Sequence, residues 1–323
     1  MTSPLRWTLA LVLVAGLLSG CGKKNSDPVS PVGGGPSSTN EQIGASSALA
    51  STPQLVEDGL FESADQGAIG GMPGTVAAIR PLTYWRTITS VERRFEFAFA
   101  DTDSVGRPTT AVVTIHKFLK GSFNILAGPR PEPGVRDSAK LRPIRKPLDD
   151  HWVRRVLLKR VRPMLPPGGG DARQAERNDP HGMWRVAASS GVEVTSRGAT
   201  THIVSLRIQT ATRDTVVTDP LAFFRLKRLL KFDVADSVKL TVTTERNDDV
   251  VVLIHRGLRF MFRNHGDNTY TGIWRAPRLA GLDHIGVNAF SHGTLFDDAL
   301  PYDSQAWILP YIVHPTELAE YMP

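Results

Sequence analysis

Apolar and polar residues alternate along most of this chain from Tyr84 onward, which is the periodicity of β-strands. Residues 92–100 (ERRFEFAFA) place three phenylalanines on one face, and residues 109–116 (TTAVVTIH) are mostly β-branched. The intervening DTDSVGRP is rich in turn residues, so the two runs predict a hairpin, and residues 118–126 predict a third strand. Together these patterns predict a mainly β, antiparallel protein with a few short helices.

The C-terminal part repeats the alternation in six or seven short runs, spaced at roughly ten residues and separated by turn residues. That rhythm is typical of a β-sandwich. Residues 268–277 (NTYTGIWRAP) and 281–289 (GLDHIGVNA) resemble late strands of the immunoglobulin-like modules of bacterial surface proteins. The resemblance implies an immunoglobulin-like β-sandwich over residues 233–323, and it implies no particular activity.

Two segments are less clear in their secondary structure. Residues 152–161 (WVRRVLLKRV) fit either a helix with one apolar side or a strand that pairs with residues 184–188 in a long hairpin. Tryptophan and β-branched residues begin both arms, which favours the strand. Residues 221–231 (LAFFRLKRLLK) follow Asp219-Pro220, a helix-start signal, and contain cations in the last turn, so they predict a helix.

The N-terminus carries an unbroken apolar run of ten residues (LALVLVAGLL), followed by Ser-Gly and then Cys21, the single cysteine of the chain. The run is far shorter than the roughly twenty residues of a membrane-spanning helix, so it predicts a secretory signal over residues 1–20. The segment resembles the lipobox of bacterial lipoproteins. That resemblance implies acylation of Cys21 and attachment to the bacterial cell envelope. In that family an aspartate after the cysteine often signals retention in the inner membrane, so the resemblance, with glycine at position 22, implies the outer membrane rather than the inner membrane.

Composition divides the remaining chain into three regions. Residues 21–52 hold the predicted lipidation site and a Gly-, Ser- and Pro-rich stretch, which predicts a flexible tether. Residues 53–232 form a predicted β-rich domain with a basic, proline- and arginine-rich insertion near residues 128–180, and residues 233–323 form the predicted sandwich. With one cysteine, the mature fold is predicted to have no internal disulfide.

Positive charge is concentrated between Arg130 and Arg177, where there are thirteen Lys and Arg against six Asp and Glu, while the whole chain carries +6. Such a segment suits an anionic glycan or lipid headgroup bound by salt-sensitive attraction, and the export signal excludes intracellular nucleic acid as a partner. The alternative is a solvated surface on which arginine stems cover apolar groups. The candidate polyanion-binding residues are Arg154, Arg155, Lys159, Arg160 and Arg162.

The sequence contains no Gly-x-Ser-x-Gly, His-x-His or His-Glu-x-x-His motif. We therefore predict no catalytic residue, no metal and no cofactor. We expect a binding or scaffolding module that is held at its membrane by Cys21 and that contacts an envelope protein or anionic polymer. The alternative is a hydrolase of envelope polymers, which requires His116, His151 or His181 to meet carboxylates in a pocket. The C-terminal histidines and the acidic loop at residues 297–303 fit solvated surface groups better than a metal site.

Overall fold

The computed structural model describes residues 38–57, 66–68, 79–104, 106–128, 141–161, 184–225, 229–256 and 258–314. Within these ranges the helices are α1 (Ser38–Ala50), α2 (Pro53–Val56) and α3 (His292–Phe296). The first nine strands are β1 (Gln66–Ala68), β2 (Arg80–Thr102), β3 (Pro108–Gly128), β4 (Arg142–Arg160), β5 (Trp184–Ser196), β6 (Ile203–Gln209), β7 (Asp214–Val217), β8 (Phe223–Arg225) and β9 (Leu230–Asp233). The remaining strands are β10 (Ser237–Thr244), β11 (Val250–His255), β12 (Leu258–Met261), β13 (Arg263–Asn264), β14 (Thr269–Arg275), β15 (Gly281–Phe290) and β16 (Ser304–His314). The mainly β prediction is confirmed.

The main sheet has the strand order β1-β2-β3-β4-β5-β16-β15-β11-β12, with β8 beside β5 and β9 beside β16. The pairing of β9 with β16 is parallel, whereas the strands along the main order pair antiparallel. β1 also contacts β12, at the opposite end of this order, so the sheet curls round until its end strands approach each other. We call the face that carries the main core the inner face and the opposite face the outer face.

The strands β2, β3 and β4 are unusually long, at 23, 21 and 19 residues. The hairpin predicted from residues 92–116 is confirmed, with Phe99 opposite Ala111. The third strand predicted at residues 118–126 is not a separate strand, because β3 continues through it. Gly121 makes this continuation possible: a Cβ there would lie 1.9 Å from the carbonyl oxygen of Thr87, where β2 shifts register.

A second sheet has the strand order β13-β14-β10-β6-β7 and packs on one face of β11, β15 and β16. In β11, Val251 and Leu253 pack toward the second sheet, whereas Val252 and Ile254 belong to the main core. The arrangement is a β-sandwich at this end of the molecule. The domain boundary predicted at 232/233 does not separate the two sheets, because β6 pairs with β10 and β5 pairs with β16.

Three other predictions can be compared with the described elements. The strand over residues 152–161 is confirmed, since β4 pairs with β5 and Arg160 lies opposite Trp184. The helix predicted over residues 221–231 is wrong. Residues on either side of its middle form two strands, β8, which pairs with β5, and β9, which pairs with β16. The flexible tether over residues 21–52 is wrong for its last part, because α1 is ordered there by the burial of Ala45, Ala48 and Leu49.

Candidate functional site

A cleft of about 470 Å³ lies on the outer face of the main sheet and is open to solvent. It follows a row of residues that lie opposite one another on four adjacent strands: Glu92 on β2, Phe118 on β3, His151 on β4 and Thr195 on β5. Successive residues of a strand point to opposite faces, so the sequence neighbours of this row face the main core. The cleft therefore rests on four paired strands, and the turn that follows β5 adds Arg197.

Three rings are stacked in and beside this cleft. The Phe118 and His151 rings are parallel within 1°, with centroids 4.6 Å apart, and the His116 ring lies 5.2 Å from that of His151. The guanidinium carbon of Arg94 is 5.1 Å from the centroid of Phe118, which is a cation–π distance. These contacts fix the orientation of His151 and hold Arg94 at the cleft.

The two histidines form a hydrogen-bonded pair, with Nδ1 of His116 2.9 Å from Nε2 of His151. Nε2 of His116 lies 3.5 Å from Oε2 of Glu96, and this carboxylate favours a proton on that nitrogen. In the tautomer that carries this proton, Nδ1 of His116 accepts, Nε2–H of His151 donates, and Nδ1 of His151 is left as an acceptor. Burial lowers the pKa of His151 from its ordinary value, and the neighbouring His116 lowers it further, while Glu96 opposes both effects.

Charges of both signs line the cleft. Nη2 of Arg94 lies 2.7 Å from Oε1 of Glu92, and both side chains are 60% exposed. Nη1 of Arg197 lies 3.6 Å from Oδ2 of Asp149, and the arginine side chain is 86% exposed. Exposed ion pairs contribute only about 0–1 kcal/mol, so an incoming anion can compete for these cations. With Lys120, which also lines the cleft, the site offers three cations to an anion and two carboxylates to hydroxyl donors.

The residues predicted to bind a polyanion do not share one surface. Arg154 is fully buried on the inner face, and its Nη1 donates to the carbonyl of Leu55 at 2.6 Å. Arg160 is also on the inner face, where it pairs with Glu41. Arg155 and Lys159 are on the outer face, where Arg155 lies 5.0 Å from the ring centroid of Phe223. Strand alternation separates these residues, because their positions in β4 differ in parity.

The C-terminal candidates are held in separate places. Nε2 of His255 lies 3.1 Å from the hydroxyl of Tyr311, and Nε2 of His265 lies 2.7 Å from Oγ1 of Thr271. In the acidic loop, Asp303 accepts hydrogen bonds from the backbone N–H and the hydroxyl of Thr200. Among the residues that the structure describes, no group of three or more His, Cys, Asp or Glu is placed to hold a metal ion.

Three predicted residues, Cys21, Arg162 and His181, lie outside the described residues. Their predicted roles stay predictions. In the described ranges, no helix has both the length and the apolar character needed to cross a membrane.

Sequence reasoning singled out His116 and His151 but missed Arg94, Lys120 and Arg197. The histidines are 35 positions apart and meet because β3 and β4 pair with Phe118 opposite His151. One signal was present: the aromatic Phe118 lies on the same face of its strand as His116 and Lys120, although the other face also holds a cation, Lys117, between Ile115 and Leu119. Arg94 on β2 and Arg197, just after β5, are brought to this site by the register of the strand pairing, which no local sequence pattern specifies.

Comparisons of the chain with protein-family models, with curated proteins and with solved structures find no match.

Proposed function

We propose that the protein is a binding module of the bacterial cell envelope, anchored at its membrane through Cys21, and that the outer cleft binds an acidic saccharide unit of an envelope polymer. The observation that carries the proposal is the mixed charge of the cleft. Arg94, Lys120 and Arg197 suit a carboxylate or phosphate, while Glu92 and Asp149 suit sugar hydroxyls, which are donors.

The size and setting of the cleft support a saccharide unit. About 470 Å³ is within the range of small-ligand pockets, which are about 300–1,000 Å³. The cleft is open to solvent, so an internal unit of a polymer can enter it. Arg94 and Lys120 stand on paired strands, and the backbone N–H of Arg197 donates to the carbonyl of Asp149, so the backbone under the three cations is already ordered and the ordering cost of binding is reduced.

The test measures the affinity of the full mature chain for a galacturonate trisaccharide by calorimetry, at low and high salt. Replacing both Lys120 and Arg197 with serine is expected to weaken binding at least tenfold, because a hydrogen bond to a charged group contributes about 1.5–3 kcal/mol. Binding to the unaltered chain is expected to weaken as salt rises, since exposed charges are screened.

The matched control replaces Arg155 and Lys159 with serine. These cations lie on the outer face of β4 and do not line the cleft, so binding should be unchanged. If this control weakens binding and the cleft variant does not, the basic segment is the binding surface and the cleft assignment fails. Equal binding of neutral maltotriose would show that the cleft does not recognise the negative charge of the saccharide.

A second candidate function is hydrolysis of the bound polymer, and the Glu96–His116–His151 series favours it. Nδ1 of His151 is an acceptor in the derived tautomer, and the lowered pKa of His151 favours the neutral, basic form near neutral pH. His151→Gln should then abolish release of new reducing ends while leaving trisaccharide binding within a factor of about three. Absence of reducing-end release from the unaltered chain would leave binding as the function.

The membrane anchor is tested separately. Cys21→Ser should abolish incorporation of a labelled fatty acid and move the protein from the membrane fraction to the soluble envelope fraction. Retention in the membrane fraction would contradict anchoring through this residue.

We also propose that residues 233–323 are related to immunoglobulin-like modules. The support is the spacing of the short apolar runs in this region and the two motifs within residues 268–289.

A further inference from the structure

A segment near the N-terminus, residues 38–57, lies across the inner face of the main sheet, and polar contacts hold it along its length. Near its start, Glu41 pairs with Arg160 and accepts a hydrogen bond from Nε1 of Trp184 at 3.0 Å. Near its end, Glu57 lies 2.6 Å from Nζ of Lys117. We call residues 38–57 the inner segment.

The middle of the inner segment is held through its backbone. The carbonyl of Leu55 accepts from Nη1 of Arg154 at 2.6 Å and from Oγ of Ser189 at 3.4 Å. Glu57 also lies close to Arg93, with 3.2 Å between Oε1 of Glu57 and Nη1 of Arg93, so two carboxylates and one carbonyl of the segment meet four cations of the sheet. These are the contacts by which a protein surface recognises an acidic peptide.

The surface under the inner segment alternates cations with indole rings. Nζ of Lys117 lies 4.3 Å from the ring centroid of Trp152, Arg154 lies 5.4 Å from the same ring, and Arg160 lies 4.9 Å from that of Trp184. We call these five residues the inner stripe. Buried cations are strongly disfavoured without an anionic partner, so the inner stripe needs an acidic cover.

The inner segment has few features that stabilise it apart from its packing on the sheet. α1 and α2 have only 13 and 4 residues, and helices of that length are marginal without packing. The segment buries the apolar side chains of Ala45, Ala48, Leu49 and Val56, two of which are alanines. Gly44, Ser46 and Ser47, inside α1, also lower its helix propensity. Local opening of such a segment costs less than unfolding the sheet beneath it.

We propose that the inner stripe is a docking site for an acidic peptide of a partner protein, and that the inner segment is an intramolecular ligand that this peptide displaces. The partner peptide carries two carboxylates that reach Arg160 and Lys117, and a backbone carbonyl that reaches Arg154. This inference is independent of the outer cleft, because the two sites lie on opposite faces of the same strands.

The test uses a fluorescent peptide with the sequence of residues 38–57 as the probe, added to the full mature chain. In the chain, Glu41→Gln with Glu57→Gln weakens the inner segment without altering the stripe. Anisotropy should then show the probe binding this variant at least tenfold more tightly than the unaltered chain. A probe that carries the same two Glu→Gln changes should bind at least tenfold more weakly, and this arm requires no alteration of the stripe.

Three results would overturn the proposal. The first is no binding of the probe to the Glu41→Gln, Glu57→Gln chain, provided that its thermal unfolding remains cooperative. The second is equal binding of the acidic and the neutralised probe, which would show that the carboxylates are not recognised. The third is a dimer of the unaltered chain that the probe dissociates, since the occupant would then be the inner segment of a second copy and not a partner protein.

Discussion

The two faces of β4 carry the same kinds of residue and hold them in opposite ways. On the inner face, Asp150 and Arg154 are fully buried, and their charges are met by other parts of the chain. On the outer face, the side chain of Asp149 is 35% exposed and lies 3.6 Å from an arginine that is itself mostly exposed. This comparison shows that the inner charges are used in contacts within the chain, including those with the inner segment. The outer charges are accessible to a ligand.

The largest expected effect is the loss of Asp150. Its Oδ2 lies 3.6 Å from Nη1 of Arg86 and accepts a hydrogen bond from the hydroxyl of Tyr302 at 3.2 Å. Asp150→Ala removes the carboxylate from a buried pair and should lower the free energy of unfolding by about 3–5 kcal/mol, measured by urea denaturation. The neighbouring Asp149→Ala removes a partly exposed carboxylate from a surface ion pair and should change the free energy of unfolding by no more than about 0.5 kcal/mol. Similar effects from the two variants would contradict the comparison of the faces.

The pH dependence of stability sharpens the same contrast. Burial raises the pKa of Asp150 from 3.8 to about 6, although Arg86 opposes the shift. The folded state therefore binds more protons than the unfolded state between these pH values, and the contribution of Asp150 to the unfolding free energy falls as pH rises from 3.8 to about 6. Subtracting the Asp150→Asn curve from that of the unaltered chain should isolate this fall. A flat difference curve would show that Asp150 is not held in this way.

A smaller effect of opposite sign is expected from His151. Its pKa is lowered by burial and by His116, so the folded state binds fewer protons than the unfolded state just below the ordinary value of 6.5. The contribution of His151 should therefore fall as pH drops through 6.5, and His151→Gln should remove this dependence. His265→Gln, at an exposed position between β13 and β14, serves as the control. If both variants alter the unfolding curve equally below neutral pH, the histidine pair has no special role in it.

The fold was predictable where one face of a strand is uniformly apolar. The β2–β3 hairpin follows from the alternation around Phe95–Phe99, and the pairing of β4 with β5 follows from their tryptophan-led runs. The helix predicted at residues 221–231 failed because local signals favour a helix there, whereas the edges of β5 and β16 provide pairing partners from distant parts of the chain.

The site was only partly predictable because polar residues occupy both faces of β4. Lys146, Asp150 and Arg154 all face inward, yet in the sequence they look like solvent-facing charges. The basic segment therefore gave the impression of one cationic surface. The basic segment is in fact divided between two faces of the sheet. The contact between His116 and His151 depends on the register between β3 and β4, which no local sequence pattern specifies.

The most direct test of the central claim is lysine acetylation footprinting of the full chain, with and without the galacturonate trisaccharide, read by mass spectrometry. Lys120 lines the outer cleft, whereas Lys159 is exposed on the same face outside it. The account predicts that the trisaccharide slows acetylation of Lys120 and leaves that of Lys159 unchanged. Protection of Lys159 without Lys120, or of neither lysine at saturating trisaccharide, would contradict the assignment of the outer cleft as the binding site.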